Sequence, residues 1–453
     1  MSDADLPSDQ ANRPASPSTP TPPQSLGTTS MTGIVVASMI GAGVYTTSGF
    51  ALADLGTPLA VMAAWFVGAM IALCGAVGYG LLAKRLAENG GEYLYLSRHV
   101  HPLVGTLAGW VSFFAGFTGA AAYAALAFEA YAIPDASRPT WLPSGVLSVS
   151  IVLIALVMHV FNTRWGAWLQ NILVVSKLLL LVAFLVFAWA SVTTWIRGSA
   201  DASFGTASNN PPFSWRAFAT AVMWISLSYS GFNAAIYVAG ESKQGGRSVA
   251  NAMVIGTALV AVMYLVLNAT VFASTPTSDL RGQADVVAIA AKTLGGQAAE
   301  TWVRLLICLG LFTSVSSAVM VGPRVYAKMA SEGMFPRFFA SEQPPPVRAI
   351  VLQSIAIVAV IGFSGIQSLM STLSMTLSLC AAGTVATVFL KPKEAGGTTF
   401  EGWGRPIAGL YVIATLFIAG VAATHRPNEA FVALAAFLLC VLLVLVGRQG
   451  PRA

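Results

Sequence analysis

Residues 38–49 read SMIGAGVYTTSG, and the fold turns on how this stretch is interpreted. It lies inside an apolar run long enough to cross a bilayer. Yet it carries Gly41, Ala42 and Gly43, then Thr46, Thr47 and Ser48, near its midpoint. Glycine weakens a helix, and a hydroxyl gains little from contact with lipid. An interruption at mid-membrane strands backbone N–H and C=O groups, which is tolerated only where protein or a water-filled cavity covers them. Two readings stand: small residues that let helices approach closely, or an opened backbone that lines a binding site.

The rest of the chain sets the context. Of 453 residues, 56% are hydrophobic and only 9% charged, against about 25% charged in a soluble globular domain. Several stretches of ~20 residues carry no charge, the length that spans a hydrocarbon core. The chain therefore reads as an all-α integral membrane protein, since outer-membrane barrels show short alternating segments instead. The first 26 residues, rich in Pro, Ser, Thr and Asp, lack a signal-peptide pattern and read as a disordered cytoplasmic tail. Cys74, Cys308, Cys380 and Cys440 all fall in apolar segments, without metal-ligand spacing, and read as small packing residues. No metal and no cofactor is expected.

Twelve spans are predicted. The first six cover roughly 31–54, 58–82, 104–131, 143–161, 170–192 and 215–239. The other six cover roughly 248–273, 301–324, 347–364, 368–390, 407–423 and 429–447. Twelve spans put both termini on one side. The connections on that side carry 16 Lys and Arg against 7 on the other, so both termini are expected in the cytoplasm. The net charge of +6 is thus topological and does not suggest nucleic acid. One basic residue remains, Lys177 in the middle of span 5.

Span 6 repeats the oddity of span 1. In MWISLSYSGFNAAIYVAGE, residues 223–241, Ser230, Gly231 and Asn233 interrupt an apolar run near its middle. Spans 1 and 6 are five apart, and paired interruptions at corresponding positions of two repeats point to a midplane binding site. N–H groups around Ile40–Val44, at the start of the second half of span 1, suit a carboxylate. Carbonyls exposed near Leu227–Ser230 accept from an ammonium. An α-amino acid carries both groups on one carbon.

At these residues the chain resembles the amino acid–polyamine–organocation transporter superfamily. SMIGAGVYTTSGFALADLG is similar to its first-span signature, and GGEYLYLSRHVHP, residues 90–102, to the loop after span 2. SYSGFNAAIYVAGESKQGGRSVANAM, residues 228–253, resembles its span 6, and VGPRVYAKMASEGMFP, residues 321–336, the cytoplasmic end of span 8. The resemblance implies a LeuT-like fold: a 5+5 inverted repeat with broken helices 1 and 6, plus two C-terminal helices. The expected units are 1–26 as tail, 27–200 and 201–395 as five-helix repeats, and 396–453 as the last two helices. It also implies alternating access for amino acids or related amines. By position, Ile40, Gly41, Ala42 and Gly43 would hold the substrate carboxylate, and Leu227, Ser228, Tyr229 and Ser230 would offer carbonyls to the amine, with Gly231 and Asn233 completing the break. Leu227 stands where relatives often have an occluding aromatic residue, a role left here to Trp224 or Phe232.

Lys177 has two readings. It stretches its ammonium about two helical turns to the interface, or it is a buried amine whose charged form burial disfavours, able to gain and lose a proton. In the resembled superfamily a span 5 lysine looks to take the place of a sodium ion between spans 1 and 8. Thr313, Ser314, Ser316 and Ser317 of span 8 would then be its partners. Glu129 reads as a vestibule acid or a solvated helix end, Tyr123 as a site or packing residue, His159 as interfacial and Asp54 as solvated.

No P-loop, HExxH or GxSxG motif is present, so neither an ATP motor nor a membrane hydrolase is expected. The connection between spans 3 and 4 holds no cysteine, which argues against a disulfide-linked ancillary subunit. The expected protein is an amino acid permease of the cytoplasmic membrane, proton-coupled and sodium-independent. Its partners are an amino acid, the proton and membrane lipid. An exchanger, a polyamine or amine permease and a transporter-like receptor are the alternatives.

Overall fold

The computed structural model describes residues 26–134, 138–161, 182, 212–331, 333–341, 345–390 and 403–447. Span 5, with Lys177, lies outside the described residues. Seven described helices are long and apolar enough to cross a membrane, and one bent pair makes an eighth candidate. That pair is α1 (Thr28–Met39) and α2 (Gly43–Leu55), which meet at 44°. The interruption predicted at Gly41 is therefore a real break.

The elements that follow are α3 (Pro58–Arg85), α4 (Gly91–His99), α5 (Pro102–Ala132) and α6 (Val146–Phe161). The start of α3 is written in its sequence. The Thr57 hydroxyl accepts from the Ala60 N–H at 3.3 Å, with Pro58 in the first turn where its missing N–H costs nothing. Lys84 and Arg85 close the same helix at its negative end. Within α5, residues Ser112–Gly119 form a π-helical segment beside the central cavity.

The second half of the chain runs α7 (Trp215–Ser228), a 3-10 helix Ala234–Glu241, α8 (Gly246–Ser274) and α9 (Val286–Ser331). It ends with α10 (Val347–Phe363), α11 (Ile366–Ala386), α12 (Gly404–His425) and α13 (Pro427–Gly447). The predicted span 8 is shorter than α9, whose first turns are set off by non-helical Gly295 and Gly296. Span 6 is found as α7, an irregular turn at 229–233 and the 3-10 helix, so it too is interrupted where the sequence showed.

Burial follows the membrane logic rather than that of a water-soluble core. In α12 and α13, 28% and 17% of the spanning windows are buried, which places both at the periphery. Leu410, Ile413, Phe417, Phe431, Leu438 and Leu442 on them are exposed, an apolar surface suited to lipid. At the centre, α1, α2 and α7 are enclosed. α1 packs on α8, and α2 and α3 pack on α7.

Candidate functional site

The two breaks lie against each other. Gly231 has φ 100°, a left-handed conformation that favours glycine, and a Cβ there would fall 2.8 Å from the Ser38 carbonyl. A Cβ on Gly43 would fall 2.7 Å from Ser228 Cα, so α2 and the end of α7 touch backbone to backbone. A methyl on Gly41, by contrast, would meet nothing within 4 Å. The glycine pair thus divides its work: Gly43 permits the contact between helices, while Gly41 borders open space.

The hydroxyl cluster that follows is fully buried and knits the broken span to its neighbours. Thr46 bonds Tyr123 of α5 and the Ala42 carbonyl. Thr47 donates to the Gly43 carbonyl at 2.7 Å and meets Ser228 of α7 at 3.0 Å. Ser48 bonds Asn268 of α8 and accepts from the Trp65 indole of α3 at 2.9 Å. Tyr264 donates to the Met39 carbonyl at 2.7 Å, satisfying one acceptor freed by the break. In a bilayer these groups have no water to turn to, which explains why polar residues crowd an apolar span.

A cavity of about 660 Å³ lies at the breaks, within the range of small-molecule sites. Its walls include Ile40, Gly41, Ala42 and Gly43 from span 1 and Leu227, Ser228, Tyr229, Ser230, Gly231 and Asn233 from span 6. All ten expected substrate residues therefore line one space. Among the described residues, the cavity wall runs from the breaks past Ile34 of α1, Glu92 of α4 and Val321 and Val325 of α9. At the opposite end, buried Trp224 donates its indole N–H to Ser371 at 2.8 Å. Arg426, between α12 and α13, lies 5.4 Å over the Trp224 ring and pairs with Asp54 at 3.1 Å. Asp54, expected to be solvated, is one pole of this closure.

The electrostatics of the break are those of two helix ends. α2 starts at Gly43 without a side-chain cap, and the first N–H groups of a helix have no acceptor within it. The last carbonyls of α7 are exposed in the same way, although the Leu227 carbonyl also accepts from the Ser230 N–H at 3.0 Å. The Ile40 N–H is not available, since it donates to the Val36 carbonyl at 3.2 Å. Tyr229 lines the cavity while its ring packs on Trp65 and Tyr264. Phe232 and Leu227 are wall residues, and Trp224 belongs to the closed end.

The span 8 hydroxyls divide. Thr313, Ser314 and Ser317 line the cavity, whereas buried Ser316 turns to His159 of α6, whose Nε2 is 2.9 Å away. His159 is thus a packed, hydrogen-bonded residue rather than an interfacial one. Glu129, 2% exposed, is neither vestibule acid nor solvated end. It accepts from Arg138, from the Gly145 and Ser148 N–H groups and from the Ser148 hydroxyl, and so caps α6.

One wall residue was not anticipated. Glu92 sits in the quoted GGEY stretch, but outside every predicted span, so no apolar background made it stand out. Its Oε1 accepts from the Tyr79 hydroxyl and from Asn233 Nδ2 at 3.1 Å, and Oε2 takes the Cys380 thiol at 3.4 Å. Burial raises its pKa above the ordinary carboxylate range, and the bonds from Tyr79 and Cys380 oppose that rise.

These features define a polytopic helical membrane protein with a central cavity at two facing helix breaks. The profile of the family described as amino acid permease matches residues 26–446. The chain is 27% identical over 338 residues to the high-affinity methionine permease of Saccharomyces cerevisiae, covering 70% of this chain and 57% of that protein. It is 25% identical to the human large neutral amino acids transporter small subunit 2, over 80% of this chain and 68% of the relative. Against the serine/threonine exchanger SteT of Bacillus subtilis it is 24% identical, over 67% of each. The chain spans 57% of the length of the yeast permease, and 60% and 59% of the mouse and rat large neutral amino acids transporters. The chain belongs to the amino acid permease family.

Proposed function

We propose that this protein is a secondary transporter of neutral amino acids, working by alternating access, coupled to protons and independent of sodium. The observation that carries the reading is the contact between the two breaks, with Gly231 against Ser38 and Gly43 against Ser228 around one cavity. An α-carboxylate on the N-terminal end of α2 and an α-ammonium at the C-terminal end of α7 would each meet the favourable pole of a helix. The wall at Ala42, Ala121 and Ser230 leaves room for a short or medium apolar side chain. Methionine, large neutral amino acids, serine and threonine occur in the names of the relatives above, which supports the substrate class.

The proposed architecture has twelve spans in a LeuT-like 5+5 arrangement with two added helices. The units are 27–200, 201–395 and 396–453, behind a tail at 1–26. Both termini are placed in the cytoplasm of a cell whose plasma membrane holds the protein. On that topology the cavity opens to the cytoplasm, and the Trp224–Arg426–Asp54 closure seals the outside. Lys177 is assigned the coupling role in span 5, with the span 8 hydroxyls as its proposed partners. Because the connection after α5 has no cysteine, the protein works without a disulfide-linked partner.

Uptake of radiolabelled methionine, leucine, serine and threonine into proteoliposomes tests the reading, in sodium-free buffer with and without an inward proton gradient. Gradient-driven accumulation by the wild type, lost in Lys177→Ala, is the expected result. Uptake that requires preloaded amino acid at every pH makes the protein an exchanger and Lys177 structural. No movement of any amino acid overturns the substrate class.

A further inference from the structure

We propose that Glu92 is a proton-binding site of this transporter, and that its proton is linked to the break in span 6 through Asn233. This rests on the proton-coupled reading above and adds a second protonatable group beside Lys177. The geometry carries it. Glu92 is a wall residue of the cavity, on its open side, and belongs to the short helix α4 rather than to a span. It joins three segments far apart in the chain: Tyr79 of α3, Asn233 of the span 6 turn and Cys380 of α11.

Among the described residues, the groups that bond Glu92 or share its field are neutral. Tyr79 comes from α3, Asn233 and Tyr237 from the span 6 side, Cys380 from α11 and Tyr411 from α12. No ion pair reaches it among the described residues. Arg85 donates to the Val388 carbonyl at 2.8 Å, and Arg98 of α4 faces Glu88 at 3.7 Å. A carboxylate compensated only by neutral dipoles is poised to exchange its charge with water.

The two oxygens have different roles. Oε1 accepts two bonds, while Oε2 has only the weak thiol donor of Cys380 among the described residues. The proton therefore binds at Oε2, which then becomes an O–H donor toward sulfur. No other bond is made or broken, and the proton returns to cavity water on release. Protonation removes the charge from the bond between Asn233 and Oε1, and a charge-assisted bond is about twice as strong as a neutral one. Proton binding thus loosens the tie between α4 and the turn that forms the substrate site. Loss of the proton tightens it. This is a differential interaction with two conformations, the requirement for coupling.

The test uses the full chain in proteoliposomes, with radiolabelled methionine, leucine, serine and lysine as probes. In the wild type, counterflow is expected to change with pH across one titration. In Glu92→Gln, whatever counterflow remains is expected to be flat, and accumulation driven by a proton gradient to be lost. Tyr79→Phe keeps the ring volume but removes a donor to the carboxylate, so the wild-type pH profile should move to higher pH. A carboxylic acid infrared band that titrates in the wild type and is absent in Glu92→Gln reads the proton directly. An unchanged pH profile in Tyr79→Phe, or gradient-driven accumulation in Glu92→Gln equal to wild type, overturns the inference and leaves the symport reading intact. Loss confined to lysine uptake in Glu92→Gln also overturns it, making Glu92 a contact for cationic side chains. A wild type that never responds to the gradient overturns the symport reading itself, and the inference with it.

Discussion

The contact between Gly43 and Ser228 gives the sharpest forecast. In Gly43→Ala the new methyl carbon would lie 2.7 Å from Ser228 Cα and 2.9 Å from its Cβ. Ordinary contact begins at 3.4 Å, so α2 and the end of α7 must part by about 0.7 Å. Backbone, not a flexible side-chain tip, has to move. The bond between Thr47 and Ser228, now 3.0 Å, would be stretched out of range by the same shift. Overpacking of this kind costs about 1–3 kcal/mol and the lost bond about 1 kcal/mol. Alanine returns up to about 1 kcal/mol of helix propensity, leaving a net loss of about 1–3 kcal/mol. Gly41→Ala is the control, because its methyl meets nothing within 4 Å. Its stability should stay within about 0.5 kcal/mol of wild type, while the methyl intrudes on the cavity and raises KM. Thermal unfolding in detergent and uptake kinetics in proteoliposomes separate the two variants. A Gly43→Ala protein as stable and active as wild type would refute the close approach of the two breaks.

Three further outcomes are expected. Asp54→Asn removes one pole of the Arg426 closure, where the side chains are 18% and 26% exposed, so its contribution is held to about 1 kcal/mol. That is about fivefold in the balance between closed and open forms of the Trp224 end, which the proposed topology places outside. A cysteine placed at Ala42, with the native cysteines replaced, should react several-fold faster with an impermeant thiol reagent added outside; an unchanged rate counts against the closure. Glu129→Gln weakens four bonds to a buried carboxylate and should lower stability by about 2 kcal/mol, read as a drop in unfolding midpoint. Tyr123→Phe removes the hydroxyl that meets Thr46 at the cavity wall and should raise KM less than tenfold with little change in unfolding midpoint. A Tyr123→Phe protein that fails to fold would make that residue a packing element instead.

Much of the site was legible in one dimension. Gly41, Gly43, Ser230 and Gly231 announce themselves because a glycine or hydroxyl in an apolar run is costly unless the backbone opens there. Thr313, Ser314 and Ser317 also fell on the cavity, since hydroxyls in a span must find partners inside the protein. The roles of Glu129, His159 and Asp54 were misread for one shared reason. Each sits near a helix end, where exposure to water and capture by a distant donor give the same sequence pattern.

The sequence by itself determined the solvent of this protein and the places where its helices break. Apolar run length reports transfer into lipid, and glycine and hydroxyl content reports local backbone cost; both are properties of short windows. Tertiary structure alone decided which groups meet. Cys380 reaches Glu92 across 288 positions and Arg426 reaches Asp54 across 372. No window spans such distances. A half-buried carboxylate or guanidinium takes its partner from whatever helix packing delivers, because a bilayer offers it no water instead.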